Sequence, residues 1–267
     1  GHLDKGVITN CYAKRVIVTG GNIVGGLVGS NDSDILECYT TGIVSGNLSV
    51  GGLVGQISEG TVKRCYSKAS VSGNRSVGGL AGITVDERSE ITNSYAAGSV
   101  EGDTYVGGLA GQVERGNAYK CYSTSSVSGN RSVGGFVGNI RFLGTVSRCL
   151  WDTQSSGQPT DPGGTGKTTE EMKTISTFTS KGWDFLSIWT ICEGINYPVL
   201  LWQIPAADYL CPDGVNFIDY ASFASHWERN NCNAMNNYCN GADLNQTGSV
   251  DFRDLEIFAE KWLEGLE

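Results

Sequence analysis

The chain has 267 residues, a formal net charge of −9 and 38 glycines. This length allows two or three domains, and the acidic balance argues against binding to nucleic-acid phosphates or to an anionic membrane surface. No run approaches the roughly 18 apolar residues of a membrane span, and the N-terminus lacks a signal-peptide pattern, which is typical of a processed chain or a fragment.

The first half of the chain is a repeat organised around a Val-Gly-Gly motif. The motif starts at Val24, Val50, Val77, Val106 and Val133, so the period is 26 to 29 residues. A Cys-Tyr pair and an Asn or Asp turn residue recur at the same period. Repeats of this length are stacked units, because one unit is too small to bury its own apolar face.

Within each repeat, short β-branched runs are broken by Gly and Asn, a pattern that predicts strands and turns. No segment of the repeats shows the 3.6-residue period of an amphipathic helix. We therefore predict a mainly β fold, a parallel β-solenoid (β-helix) of about five coils over residues 1–148. Residues 6–10 look like the closing strand of an incomplete coil, whose strand edges are exposed and ready to pair.

The repeat array, from residue 1 to about residue 148, resembles the GLUG-motif repeats of bacterial surface and secreted proteins. Five units match the pattern at a regular period. The resemblance implies an extracellular stalk or adhesion role without catalysis, and it implies no defined ligand.

Nine cysteines lack the CxxC spacing of a structural zinc site and favour an oxidising, extracytoplasmic location. Stacked coils place equivalent Cα atoms about 4.8 Å apart, within disulfide range, so Cys11–Cys38 and Cys121–Cys149 are candidate pairs. The alternative is that these cysteines fill apolar slots, which Ser94 at the equivalent position favours. We expect the disulfides in the C-terminal region, where Cys211 would pair with Cys232 or Cys239.

Residues 149–204 break the period, and we predict that they cap the C-terminal end of the solenoid, since stacked repeats need a cap. Thr168 and Glu171 have the spacing of a capping box, which predicts a short helix to about Thr177. The segment 183–202 is dense in aromatic residues.

Residues 205–267 are acidic and helical in pattern, and they contain a twelve-residue loop at 243–254 that predicts a calcium site. Calcium takes six to eight oxygen ligands, which an EF-hand-type loop supplies around a glycine at position 6. That glycine is Gly248. The ligands would be Asp243, Asn245, Thr247, the Ser249 carbonyl, Asp251 and Asp254.

An approximate copy of this loop lies upstream, at residues 208–219. Asp208, Asn216 and Asp219 fit ligand positions 1, 9 and 12. Leu210 and Pro212 occupy positions 3 and 5, and Asp213 replaces the glycine. We therefore expect the upstream loop to bind no calcium.

Each loop runs into a helix with the same pattern, Asp219-x3-Phe223-Ala-x2-Trp227 and Asp254-x3-Phe258-Ala-x2-Trp262. Two such units in tandem resemble a type I dockerin, which implies a calcium-stabilised module for protein attachment. Dockerins recognise cohesins through small hydroxyl residues at loop positions 10 and 11. Here these positions hold Phe217-Ile218 and Phe252-Arg253, which argues against a standard cohesin as the partner.

Catalytic constellations are missing from the sequence. The histidines are His2 and His226, which excludes an HExxH zinc site and argues against Ser-His or Cys-His catalysis. We interpret the chain as a non-enzymatic extracellular stalk, adhesin or scaffold with a cohesin-like protein partner. One alternative is the subunit of a head-to-tail filament, which binds another copy of itself. Another is a β-helix that binds or processes glycans on a row formed by Tyr12, Tyr39, Tyr66, Tyr95 and Tyr122.

Overall fold

A computed structural model describes residues 1–208, 211 and 213–262. The chain forms two compact units. The first consists of residues 1–172 and 180–182, and the second of residues 173–179 and the residues described from 183 onward. Among the described residues, no helix has the length and apolar composition needed to cross a membrane. The predicted boundaries at 148 and 204 stay predictions.

The first unit winds through four parallel sheets. Sheet 1 contains His2–Leu3, Val28–Asn31, Val54–Ile57, Ala81–Thr84, Ala110–Val113 and Val137–Ile140. Sheet 2 contains Val7–Thr9, Asp34–Leu36, Thr61–Lys63, Glu90–Thr92, Asn117–Tyr119 and Thr145–Ser147. Sheet 3 contains Tyr12–Thr19, Tyr39–Ser45, Tyr66–Ser72, Tyr95–Ala96, Ser99–Glu101, Tyr122–Ser123, Ser126–Ser128, Leu150–Asp152 and Thr165–Lys167. Sheet 4 contains Asn22–Gly25, Leu48–Gly51, Arg75–Gly78, Thr104–Gly107 and Arg131–Gly134.

Sheets 1 and 2 have six strands each, so the fold is a parallel β-solenoid of about six turns. The predicted fold class is confirmed. Residues 1–9 supply the first strand of both sheets, where the sequence indicates an incomplete coil. Equivalent repeat positions stack in register, as in Val50 opposite Val77 and Val106 opposite Val133.

The Gly-Gly pair lies where the chain passes from sheet 4 to sheet 1, and neighbouring coils come closest there. The amide of Gly52 donates to the carbonyl oxygen of Gly78 at 3.2 Å. A Cβ added to Gly52 would collide with the carbonyl oxygen of Gly79 and with the Ser67 hydroxyl. Glycine is therefore required here because of the close approach of two backbones.

Two stacks of apolar side chains fill the interior of the solenoid. One contains the residue after the Gly-Gly pair, as in Leu53, Leu80 and Leu109, together with aliphatic residues of sheets 1 and 2. The other is made of valines from sheets 3 and 4, including Val71 and Val77. The inward ladders that the repeat pattern predicts are therefore present.

The cysteine ladder occupies the turn between sheets 2 and 3. The amide of Cys38 donates to Cys65 Sγ at 3.4 Å, and the amide of Cys65 donates to Ser94 Oγ at 3.0 Å. Cys65 Sγ and Ser94 Oγ each donate to the carbonyl oxygen two residues earlier, on Lys63 and Thr92. Serine and cysteine thus make the same contacts. All five ladder thiols are free, and the packing interpretation is confirmed for the four that are buried, Cys38, Cys65, Cys121 and Cys149. Cys11, in the first coil, is exposed.

The tyrosines that follow the cysteines form a continuous stack, with successive ring centroids 4.8 to 5.2 Å apart. Tyr95 and Tyr122 are each only 2% exposed. A sugar ring would need the free face of an aromatic ring, and here most faces are covered by the next tyrosine. The stack therefore stabilises the solenoid and gives no support to the predicted glycan platform.

Residues 151–164 cover the last coil. The Asp161 carboxylate accepts hydrogen bonds from the amides of Phe136 and Val137, at 2.7 and 2.8 Å, in place of a carbonyl from a further coil. The Trp151 ring packs on Gly135. This cap satisfies backbone donors that would otherwise be buried without partners.

The predicted capping box is present: the Glu171 amide donates to Thr168 Oγ1, and the Thr168 amide donates to Glu171 Oε2. The helix is shorter than expected. The predicted helix spans Thr169–Met172 only, and a second helix, Ile175–Thr179, follows it. The Glu193 carboxylate accepts the amide hydrogen of Ile175 at 3.1 Å and so provides a new helix N-terminus there.

The first unit also contains a short helix, Thr153–Ser156. The second unit holds the elements that follow Thr179. Its antiparallel strands are Trp189–Thr190 and Val199–Leu200. Its later helices are Leu201–Gln203 (3-10), Phe217–Ala224, Ala234–Asn236 (3-10) and Phe252–Glu260, with a left-handed turn at Asn237–Asn240.

This unit also holds two disulfides, Cys192–Cys211 and Cys232–Cys239. Their location in the C-terminal region was predicted, but the expected pairing of Cys211 with Cys232 or Cys239 is wrong. The left-handed turn folds the chain back and brings the Cα atoms of Cys232 and Cys239 to 4.9 Å, so that these two cysteines pair with each other.

Candidate functional site

The second unit contains a duplicated loop-helix structure. Asn216 and Asp251 are the N-cap residues of the two helices, with nearly the same backbone angles, φ −140° and ψ −170° against φ −140° and ψ −167°. In both, the carboxylate three residues later, Asp219 or Asp254, accepts the amide hydrogen of the N-cap residue. The tandem units that the sequence indicates therefore share one local structure.

Aromatic side chains join the two copies reciprocally. Phe217, the first residue of the first helix, packs edge-to-face on Trp262 at 5.0 Å between ring centroids. Phe252, the equivalent residue of the second copy, packs edge-to-face on Trp227 at 5.1 Å. The helices meet through Phe223 and Phe258, whose rings are 5.2 Å apart. The repeated Phe and Trp positions thus build the core between the helices.

The loop at 243–254 closes around two buried carboxylates. Asp243 accepts hydrogen bonds from the amides of Thr247 and Gly248, at 3.0 and 2.9 Å. Asp254 Oδ1 accepts from the amide of Asn245 at 3.0 Å. Gly248 has φ +99°, as the sharp turn at position 6 requires. Four of the six predicted ligand residues are therefore linked by this hydrogen-bond network.

The other two predicted ligands have additional structural contacts. Ser249 forms an antiparallel bridge with Asn230, and Asp251 Oδ1 accepts the Arg253 amide hydrogen as the helix N-cap. Within the described part of the chain, the three carboxylates of this loop do not converge to within 4.8 Å of one another. Local hydrogen bonds satisfy Asp243 and Asp254 instead.

The upstream loop brings its carboxylates closer together. One oxygen each of Asp208, Asp213 and Asp219 lies within 4.8 Å of the others. Asp208 Oδ2 accepts the Gly214 amide hydrogen at 3.1 Å, while its Oδ1 is buried without a partner. Burial raises the pKa of Asp208 to about 6, against the lowering effect of the Gly214 hydrogen bond, and the negative charges of Asp219 and Asp213 add to the rise.

These oxygens fit a hard divalent cation, since calcium takes carboxylate and carbonyl oxygens and an unpartnered buried oxygen is costly. The grouping shows which residues of loop 208–219 could hold a cation. The expectation that this loop binds no calcium stays a prediction. The sequence pattern missed Asp213 as a ligand, because it stands at the position where a calcium loop has glycine. Leu210 and Pro212, which also departed from the pattern, lie outside the described residues.

Comparisons with known proteins agree with the repeats and the fold of the first unit. Residues 46–72 and 73–101 match the family described as the GLUG motif. A crystal structure from Bacteroides ovatus, of a "putative immunoglobulin A1 protease", is similar with a TM-score of 0.50 and 23% sequence identity over 75% of this chain and 76% of that chain. At this identity, the likeness shows the fold alone. No curated protein matches the chain significantly.

His226 in the second unit has a structural environment. Its Nδ1 lies 2.8 Å from the Ser222 carbonyl oxygen, and its Nε2 lies 3.2 Å from Asn240 Nδ2. An amide nitrogen can only donate, so Nε2 accepts and Nδ1 carries the proton. Ser225 Oγ, although 2.9 Å from Nδ1, hydrogen-bonds to the Ser222 carbonyl oxygen too. His226 therefore connects the end of helix Phe217–Ala224 to the turn at Asn240 through hydrogen bonds.

Proposed function

We propose that this protein is a non-catalytic, extracellular repeat protein whose solenoid acts as a stalk or scaffold and whose C-terminal module, residues 205–267, attaches it to a protein partner. The observation that carries the proposal is the pair of equivalent aromatic side chains at the two helix starts. Phe217 is 77% exposed and Phe252 is 76% exposed. Large apolar side chains that stay this exposed at two matched positions are typical of a protein-binding surface.

The charge distribution supports a role for calcium in this module. Residues 205–267 contain 11 of the 28 acidic residues and 3 of the 19 basic residues of the chain. The module therefore carries most of the net negative charge. A bound cation at loop 243–254, or at the Asp208, Asp213 and Asp219 group, would offset repulsion among the carboxylates that surround it.

The disulfides support the extracellular location. Both lie in the second unit, and disulfides persist mainly in oxidising compartments. The solenoid complements this role, because the backbone ladders between its coils give a rigid body that holds the module away from a surface.

Calcium titration of the full chain by calorimetry tests the metal part. We expect one or two sites, with binding weakened in Asp243→Asn. Glu256→Gln, an exposed change of the same kind in the following helix, is the matched control. If the unmodified chain binds no calcium at millimolar concentration, the calcium role is wrong.

Attachment is tested separately with a partner purified from secreted and surface proteins of the source cells. We expect the double variant Phe217→Ser/Phe252→Ser to weaken that binding at least tenfold, or about 1.4 kcal/mol. The single variants should each have part of the effect. If the double variant and the parent chain bound the partner with equal affinity, the attachment surface would lie elsewhere on the protein.

Sedimentation velocity of the full chain, with and without chelator, distinguishes a foreign partner from a second copy. The acidic module disfavours contact between two such modules, because like charges repel across an interface. We expect a monomer over a wide concentration range. Polymers that dissolve on chelation would instead make the chain a filament subunit.

A further inference from the structure

The first two coils of the solenoid bring three metal-binding side chains to one corner. His2 pairs with Ser30 and Leu3 pairs with Asn31 in sheet 1. The Asp32 amide then donates to the Leu3 carbonyl oxygen at 2.8 Å. This register places Asp4 beside Asp32 on the neighbouring coil, with His2 two residues before Asp4.

The geometry of the three side chains suits a metal ion. His2 Nε2 lies 3.5 Å from Asp32 Oδ2. One ligand atom each of His2, Asp4 and Asp32 lies within 4.8 Å of the others. Ligands at about 2.1 Å from a tetrahedral zinc ion are separated by about 3.4 Å. The His2–Asp32 pair already has this separation, and Asp4, which is exposed, needs only a small movement.

Asp32 has an unused ligand atom. Its Oδ1 is buried and has no hydrogen-bond partner, although the side chain as a whole is partly exposed. A carboxylate oxygen in this state is costly unless a cation or a donor meets it. The Asp32 carboxylate therefore has one oxygen beside His2 and a second oxygen without a hydrogen-bond partner.

The charges point the same way. Like charges on directly neighbouring strands destabilise a sheet, yet Asp4 and Asp32 are adjacent here. In later coils, the equivalent residues are Ser58, Val85, Glu114 and Arg141. The first two coils thus have a carboxylate pair where the later coils have none, and a dication would offset its repulsion.

We propose that His2, Asp4 and Asp32 bind a divalent transition-metal ion of the zinc type that links the first coil to the second. The imidazole ligand selects such an ion over calcium, which takes oxygen ligands. Water completes the coordination, because three protein ligands leave a tetrahedral position open. This site belongs to the solenoid, and it stands or falls apart from the proposed C-terminal attachment.

Zinc titration of the full chain, followed by NMR of the histidine rings, tests the site. The chain has two histidines, and His226 is buried and hydrogen-bonded through both ring nitrogens. It is therefore an internal control. We expect the His2 ring signals to shift and saturate at one equivalent of zinc, while those of His226 stay in place. Parallel shifts of both histidines, or no shift of His2 at millimolar zinc, would overturn the proposal.

Variants of the carboxylates complete the test. Asp32→Asn and, separately, the exposed Asp4→Asn should each weaken zinc binding at least tenfold, or about 1.4 kcal/mol. Asp34→Asn is the matched control, because Asp34 lies two residues further on and accepts a hydrogen bond from Thr61 Oγ1 at 2.6 Å. Zinc affinity of both test variants equal to that of the control would show that His2 acts alone and would sink the three-residue site.

Discussion

The solenoid and the C-terminal module are both built from repeated units, but different interactions hold the units together. Coils of the solenoid join through backbone ladders and inward apolar stacks, and residues 1–204 contain nearly equal numbers of acidic and basic residues. The two loop-helix units of the module join through crossed aromatic pairs and the Phe223–Phe258 contact, and buried carboxylates hold each loop to its own helix start.

Because of this difference, the two regions should tolerate different substitutions and solution conditions. In the solenoid, each coil repeats the contacts of the next. Substitutions of glycines where two backbones meet should therefore cost the most stability, and substitutions of polar side chains should cost little. In the module, a few buried carboxylates hold the loops, so its stability responds to charge, pH and cations. Four predictions test this difference.

The largest effect is expected from Gly52→Ala. The added Cβ would collide with the Gly79 carbonyl oxygen, and backbone at this contact cannot move without separating two coils. We expect a loss of about 4 kcal/mol or more, or no folded solenoid at all. Circular dichroism and chemical denaturation measure the change.

Gly21→Ala is the control for that variant, because a Cβ at Gly21 meets no atom within 4 Å. It should fold like the parent chain. If the two variants were equally stable, close approach of the coils would not be the reason for glycine at position 52.

A smaller loss is expected from Asp254→Ala in the module. This change leaves the amides of Asn245 and Asp251 without their acceptor. We expect a loss of about 3 kcal/mol, since a hydrogen bond to a charged group contributes about 1.5–3 kcal/mol and two are removed. Hydrogen exchange should show opening across residues 213–262, with the solenoid still protected. Glu256→Ala removes an exposed carboxylate of the same helix and should have little effect, so equal losses would contradict this account.

Next in size is a pH dependence of the module without metal. The pKa of Asp208 is raised to about 6, mainly by burial, so its ionised form destabilises the folded state. The contribution of Asp208 to stability should be greatest below about pH 4 and should be lost as the pH rises through 6. The side chain is partly exposed and solvent screening reduces the effect, so we expect about 1 kcal/mol.

Thermal unfolding of the module in chelator, between pH 4 and pH 7, measures this slope. Asp208→Asn should flatten it. Asp213→Asn, which removes a neighbouring charge, should reduce it only in part. A slope of the same size in Asp208→Asn would assign the pH dependence to other groups.

The smallest effect is expected from Cys65→Ser in the ladder. Serine at position 94 already makes the same hydrogen bonds as its cysteine neighbours. We therefore expect a change within about 1 kcal/mol, measured by chemical denaturation. Cys65→Ala removes the acceptor of the Cys38 amide and should cost more than Cys65→Ser, and the reverse order would show that polarity at this position is unfavourable.

The sequence predicted the solenoid well because each repeat carries the same local signals. The Val-Gly-Gly motif marks a place where only glycine fits, and the alternation around it marks inward positions. Equivalent residues of successive coils share one environment. Ser94 at one of the cysteine positions was therefore enough to favour packing over disulfides at the others. The buried tyrosine stack follows from the same stacking rule, although its burial was not evident from sequence.

The C-terminal module was harder to predict, because its contacts join residues that no period relates. The loop pattern predicted the turn at Gly248 and the helix after the loop. It named Asp251 and Asp254 as calcium ligands, and only the structure showed their capping hydrogen bonds. It missed the pairing of Cys192 with Cys211 and the gathering of Asp213 with Asp208 and Asp219. Both depend on how the chain folds back, which spacing alone leaves open.

The repeated strands, their stacking and the glycine contacts can be predicted from the sequence, because they follow from local geometry repeated at a fixed period. The covering of the last coil by Asp161, the crossed Phe-Trp pairs and the corner formed by His2, Asp4 and Asp32 became visible in the folded structure. Each of these depends on side chains brought together from separate turns or helices. Such contacts are fixed by the packing of whole elements, and a one-dimensional pattern carries no record of which side chains that packing will bring together.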